Sequence, residues 1–351
     1  MPIVRLKHAA VLGAAAAVLA AVLAAGCSDS TSPSTADPST MATTVTSFNA
    51  SLAQNSVFQS LIALDGSAAL GVAVARAALP ATGPWTRVDA GTRRALSVLA
   101  AQAPAAALAL FPANVLGKTF QWDSTNPAGY RITDSTLTGA PSTGVRFILY
   151  QVDTATGQPS QPLMTTGYID LADVSTAQAN ALHLVLKVGS QTAADYTISE
   201  VKTTSSLSLT AAGYVVNVVS AGAKVNFNLT HVLSLSDSSL STNYQANDGS
   251  TTVSLVSVVT DSGGSLDWTA SKGGSMEIVG YSGDTINIKF KLNGTTIAVA
   301  TGTPDDASVT GPDGAPLSET DLLALYSMLD GFASIYYNLS LVFVPSLLVF
   351  V

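Results

Sequence analysis

AKVNFNLTHVLSLS, residues 223–236, decides the fold class. Val225, Phe227, Leu229, His231, Leu233 and Leu235 occupy alternate positions. Between them stand Asn226, Asn228, Thr230 and Ser234, with Val232 the exception. Successive side chains of a strand point to opposite faces of a sheet. A period of two therefore predicts a strand with one face on a core and the other in water.

The same pattern extends in both directions. Residues 285–293 alternate Ile286, Ile288, Phe290 and Leu292 against Asn287, Lys289 and Lys291. Leu182, Leu184, Leu186 and Val188 oppose His183, Val185 and Lys187. Similar runs cover 145–153, 164–171, 195–202, 213–220, 251–260, 265–271, 275–281 and 295–301. Asn293-Gly294 is the strongest turn signal, a two-residue hairpin loop that needs positive φ. Asp248-Gly249, Gly263-Gly264 and Gly273-Gly274 are further turn signals. Parallel neighbours need long crossovers, usually helical, and no helical stretch separates most of these runs. The expectation is an antiparallel meander, polar on one face and apolar on the other.

Helical patterns flank the strands. Phe58, Leu61, Ile62 and Leu64 cluster at helical spacing, and an Ala-rich run, 68–79, stops at Pro80. Asp89 caps a candidate helix ending before Pro104. Ser318-Glu319-Thr320-Asp321 is a capping-box pattern, followed by a stripe of Leu322, Leu325, Tyr326, Leu329 and Phe332. Residues 339–351 are almost wholly apolar and broken by Pro345. They are too short to span a bilayer as a helix and need cover, inside the sheet or against a partner. The predicted fold is α+β, mainly β: a large curved antiparallel sheet flanked by N-terminal and C-terminal helices. The predicted divisions are an export signal over 1–26, a Ser/Thr/Pro-rich tether over 27–43 and a helical section over 44–116. A β domain over 117–310 and a helical, apolar segment over 311–351 follow.

The N-terminus reads as an address. Arg5 and Lys7 precede a run of Ala, Val and Leu, and Leu23-Ala24-Ala25-Gly26-Cys27 follows. This resembles a lipobox, the cleavage and lipidation site of bacterial lipoproteins. The slot three residues before the cysteine holds Ala24, with Leu23 one earlier, a tolerated variant of the pattern. The resemblance implies that Cys27 is the lipidated first residue of the mature chain. An uncleaved membrane helix and an ordinary cleaved signal are the rivals. Against both, Cys27 is the single cysteine of 351 residues. Each buried acyl methylene contributes about 0.8 kcal/mol to membrane attachment. With Ser28 after the cysteine, the resemblance points to the outer membrane.

Composition fits an extracytoplasmic β protein. Charged residues make up 11% of the chain, and the formal net charge is −8. Loss of Arg5 and Lys7 with the signal makes it more negative. Glu200, Glu277 and Glu319 are the only Glu among 23 acidic residues. Asp favours turns and caps, so the bias suits strands and turns. Nucleic-acid binding needs a basic face, and none is present. GKTFQWD (117–123), GVRFILYQVD (144–153), TGQP (156–159) and GYIDL (167–171) resemble a segment of envelope lipoproteins with no assigned activity.

Candidate chemistry is sparse. His183 lies on a polar face and reads as solvated. His231 interrupts an apolar face, as a cavity lining or as a core histidine with both nitrogens bonded. Ser199-Glu200-Val201-Lys202 matches S-x-x-K, but in a strand Ser199 and Lys202 point to opposite faces. Asp305, Asp306 and Asp313 lie in a turn-rich stretch whose spacing fits no calcium loop. Trp85, Trp122 and Trp268, with Tyr150, Tyr168, Tyr196, Tyr214 and Tyr281, form a carbohydrate platform only if they share an open face; core packing is the simpler reading. No catalytic, cofactor or metal site is expected. The expected function is that of a non-enzymatic envelope lipoprotein held to the membrane by its anchor and binding an apolar ligand or lipid. The alternatives are an assembly protein docking through its apolar C-terminus on an outer-membrane protein, and a hydrolase with an unrecognised site.

Overall fold

The computed structural model describes residues 38–55, 57–58, 109–123, 125, 130–133, 139–151, 159–218, 224–260, 263–272, 274–279, 286–303 and 306–347. The expected export signal, Cys27, and the helical patterns around Leu61 and Asp89 lie outside these residues.

Fifteen strands among the described residues form one open sheet. They are β1 (Lys118–Trp122), β2 (Tyr130–Ile132), β3 (Gly144–Tyr150), β4 (Thr165–Asp173), β5 (Asn180–Val188), β6 (Gln191–Lys202), β7 (Ser206–Val216) and β8 (Lys224–Ser234). The rest are β9 (Leu240–Asn247), β10 (Thr252–Thr260), β11 (Gly263–Ala270), β12 (Gly274–Val279), β13 (Ile286–Leu292), β14 (Thr295–Thr303) and β15 (Asp306–Thr310). From β3 to β15 each strand pairs antiparallel with the next in sequence. The other end departs from the expected purely antiparallel sheet. β1 pairs parallel with β3, and β2 turns back antiparallel on β1 to form the edge. The chain between β1 and β3 gives room for that parallel return. The edge strands are short, three residues in β2 and five in β15, which limits the unpaired backbone each exposes.

Local chemistry explains the hairpins. Asn293 and Gly294 have φ of 50° and 79° between the paired Leu292 and Thr295, so the loop twists with its strands. Gly263-Gly264 differs from its expected role. Both residues are already in β11, where Gly263 pairs with Thr260.

The sheet's apolar face is built in registered rows. Leu182, Ile198, Ala211, Leu229, Tyr244, Leu255, Trp268, Met276 and Leu292 lie side by side across nine strands, all buried. Burying each large apolar side chain contributes about 1.5–3 kcal/mol.

Two helices cover this face. α1 (Pro38–Ala53) carries Met41, Val45, Phe48 and Leu52 on one buried stripe. It starts inside the stretch expected to be tether up to 43. Its Ser/Thr content looks like a linker, but the 3–4 spacing of those four side chains supplies an apolar stripe. α2 (Glu319–Ser340) is capped by Ser318, whose Oγ accepts from the Asp321 N–H at 3.1 Å. α2 lies over the middle strands: Phe332 stacks on Trp268 at 4.5 Å and Tyr336 on Tyr244 at 5.2 Å. α1 and α2 touch where a Cβ on Gly331 would come within 2.4 Å of Val45 Cγ1. After α2, Leu341, Val342, Phe343 and Val344 turn into the core and are 0–4% exposed. Among the described residues, no helix is long and apolar enough to cross a membrane.

Candidate functional site

The polar groups of interest form a second row on the covered face. Glu200 pairs with Asn180 on β5 and Leu209 on β7; Leu209 pairs with His231, His231 with Thr242, and Thr242 with Ser257. Alternation places all of them inward. Glu200, His231, Thr242 and Ser257 are each 1–2% exposed.

His231 is a satisfied core histidine. Its Nδ1 lies 3.0 Å from Thr242 Oγ1, and its Nε2 lies 2.5 Å from Tyr244 Oη. Phe343 stands 5.3 Å from the ring and Tyr336 6.4 Å. Burial pushes the imidazole down to about 3, because charging it would strip an ion of water with no carboxylate nearby to compensate. A neutral imidazole has one donor and one acceptor nitrogen, and two hydroxyls match both.

A void of about 10 Å³ remains between Leu255, Trp268 and Ile278 of the sheet and Phe332 and Tyr336 of α2. That is at the lower limit for one water molecule, and pockets for small ligands run to about 300–1,000 Å³. A larger depression, about 520 Å³ and open to solvent, lies over Leu116, Ser142, Thr143 and Asp173. The Asp173 carboxylate is already engaged there: Oδ2 accepts from Leu110 N at 3.0 Å and Oδ1 from Ser175 N at 2.9 Å. Burial raises this carboxyl, but hydrogen bonds from Ser175 and Leu110 outweigh it and hold it below the usual value.

The opposite face is open. Asn226 pairs with Asn247, Asn228 with Gln245 and Thr230 with Asn243 on the outward side of β8 and β9. Asn226, Asn228, Asn243 and Gln245 are exposed. His183 lies on this face, its Nε2 2.9 Å from Asp195 Oδ1. Lys224 opens β8 on the same face, over the Tyr214 ring, and the Glu277–Lys291 pair at 3.1 Å lies further along it on β12 and β13.

The remaining candidates separate. Ser199 lies on the open face, and Lys202, three residues further along β6, has the opposite parity, so the strand splits the S-x-x-K pattern. Asp313 Oδ1 accepts from Ala315 N at 3.0 Å within its own turn, Asp306 opens β15, and Asp305 lies outside the described residues. No group of three or more His, Cys, Asp or Glu placed to hold a metal occurs among the described residues. The aromatics do not form one platform. Trp268 and Tyr196 are buried, Trp122 packs edge-on to Tyr130, and Tyr168 and Tyr214 lie under Arg146 and Lys224. Trp85 and Tyr281 lie outside the described residues.

Compared with protein-family models, curated proteins and solved structures, the chain matches none.

Sequence reasoning missed Glu200 and the partners of His231. Tyr196, Ile198 and Glu200 stand two apart, so strand alternation alone carries the signal for Glu200. Thr242 and Tyr244 sit on β9, whose sequence LSTNYQAN lacks a clear apolar alternation.

Proposed function

We propose that this chain is a membrane-tethered envelope lipoprotein without enzymatic activity, whose folded body meets a hydrophilic partner through the open face of its sheet. The observation that carries the reading is the contrast between the faces. One packs against α1 and α2 around a void of about 10 Å³, and the other presents Asn, Gln and Thr side chains to water, with Val256 and Val258 of β10 beside them. A buried lipid needs far more room than the space under α2 offers. The apolar C-terminus gives little to an outer-membrane partner, because residues 341–344 are core. Such a partner meets the open face instead. The tether is Cys27, supported by the lipobox-like sequence before it and by the absence of any other cysteine.

The test is metabolic labelling with palmitate in a diderm bacterium, comparing the parent with Cys27→Ser. The parent is expected to take up label and sediment with outer membranes. The variant is expected to do neither. A parent that takes up no label, or a variant that fractionates like the parent, overturns the tether.

A further inference from the structure

Glu200 is a carboxyl group in an unusual place. It is 2% exposed on the covered face, paired in register with Asn180 on β5. One hydrogen bond joins them, from Asn180 Nδ2 to Glu200 Oε2 at 3.4 Å. The second carboxyl oxygen, Glu200 Oε1, and the amide oxygen, Asn180 Oδ1, are buried without a hydrogen-bond partner. An ionised carboxylate only accepts hydrogen bonds, so two acceptors are left with no hydrogen between them. Leaving buried polar atoms unpaired is costly. One added proton removes the conflict. A neutral carboxyl has one O–H donor and one acceptor oxygen, the complement of an amide's C=O and N–H.

We propose that Glu200 is a protonated, neutral carboxyl in the folded protein, donating its hydrogen to Asn180 Oδ1, and that rising pH loosens the covered face at β5 and β6. The surroundings favour the neutral form. Burial raises the Glu200 carboxyl, and the hydrogen bond from Asn180 and the charge of Lys202, two residues along β6, oppose this without cancelling it. On the neighbouring strands it faces Asn180 and Leu209, both uncharged, and His231 one strand further is held neutral. α1 carries no charged residue, and Glu319, Asp321 and Asp330 of α2 are on exposed positions. The device works in one direction. A folded-state value above the unfolded one gives a contribution that is whole at acidic pH and lost as pH climbs through the folded value.

Two measurements test it. With only three Glu in the chain, carboxyl-labelled glutamate gives a spectrum simple enough to follow by NMR. In the full chain one resonance, assigned by its loss in Glu200→Gln, is expected to titrate above 4.5, the ordinary carboxyl value. Titration at or below that value overturns the proposal. Gln offers the donor and acceptor of the neutral acid at every pH. The thermal midpoint of Glu200→Gln is therefore expected to draw ahead of the parent as pH rises from about 4 to about 8. A constant or narrowing difference overturns the proposal. If the variant fails to fold, the resonance is assigned by the loss of the other two in Glu277→Gln and Glu319→Gln, and the parent titration decides alone.

Discussion

His183 and His231 sit on opposite faces of the same sheet, and their neighbours make them different kinds of residue. His183 meets Asp195 on the open face, with side chains 36% and 41% exposed. Water can serve either partner there, so the contact is optional. His231 is 2% exposed, hydrogen-bonds two hydroxyls and packs against aromatic rings. Its two hydrogen bonds are obligatory, because no water stands ready to replace them. Strand alternation, in β5 for His183 and in β8 for His231, thus sets the consequence as well as the direction. The same ring is a replaceable surface contact on one side and a fixed part of the core on the other.

The largest way to break this comparison is to uncover His231. A chain truncated after Asn338 loses Leu339 and the buried run 341–344, including the Phe343 ring beside His231. At about 1.5–3 kcal/mol for each large side chain, the loss rivals a domain's whole stability of about 5–15 kcal/mol. Near-ultraviolet circular dichroism is expected to show loss of fixed tertiary packing and no cooperative melt. A truncated chain that melts cooperatively near the parent's midpoint would mean that residues 339–347 are not core, and would restore the C-terminus as a docking segment.

Acid is the next largest probe. Burial holds the folded value of His231 at about 3 against 6.5 for the free ring. Between those values the unfolded chain binds the extra proton, so stability rises with pH across that window. The contribution is whole above 6.5 and lost as pH falls toward about 3, on the order of 5 kcal/mol in total. In denaturant titrations, the parent's advantage over His231→Leu is expected to shrink on acidification. A constant advantage would show that the ring is not sealed. The direction is opposite to that inferred for Glu200 in the same row. Acid costs the β8 end of the row, and base costs the β6 end.

The reach of sequence reasoning follows the strength of the alternation. β8 and β13 declare themselves because nearly every inward position is large and apolar. β9 does not, because its inward positions, Leu240, Thr242, Tyr244 and Ala246, are only partly apolar and stand among Ser241, Asn243 and Gln245. Thr242 is inside because it serves His231, and that need is visible only once β8 and β9 are paired. β1 joins β3 rather than its sequence neighbour alone, a choice that depends on the route of the chain and leaves no periodic trace. α1 hid within Ser and Thr because its stripe makes sense only opposite α2, nearly three hundred residues away, where Asn338 donates to Asn49 at 3.4 Å. The lack of a legible active site has a similar cause. His231, Thr242 and Tyr244 satisfy one another across β8 and β9, and a pattern read along the chain does not show cross-strand partners.

The smallest expected effect sharpens the open side of the comparison. Asp195→Asn keeps the size of the side chain and removes its charge, 2.9 Å from His183 Nε2. An exposed ion pair contributes about 0–1 kcal/mol, since water screens it and two side chains must be held in place to make it. The amide also retains an oxygen that accepts from the imidazole, so part of the contact survives. Equilibrium unfolding of Asp195→Asn near neutral pH is expected to differ from the parent by less than about 1 kcal/mol. A loss of several kcal/mol would place His183 and Asp195 beneath something in the working protein. That result would mark the open face as covered by a partner, at the surface where one is proposed.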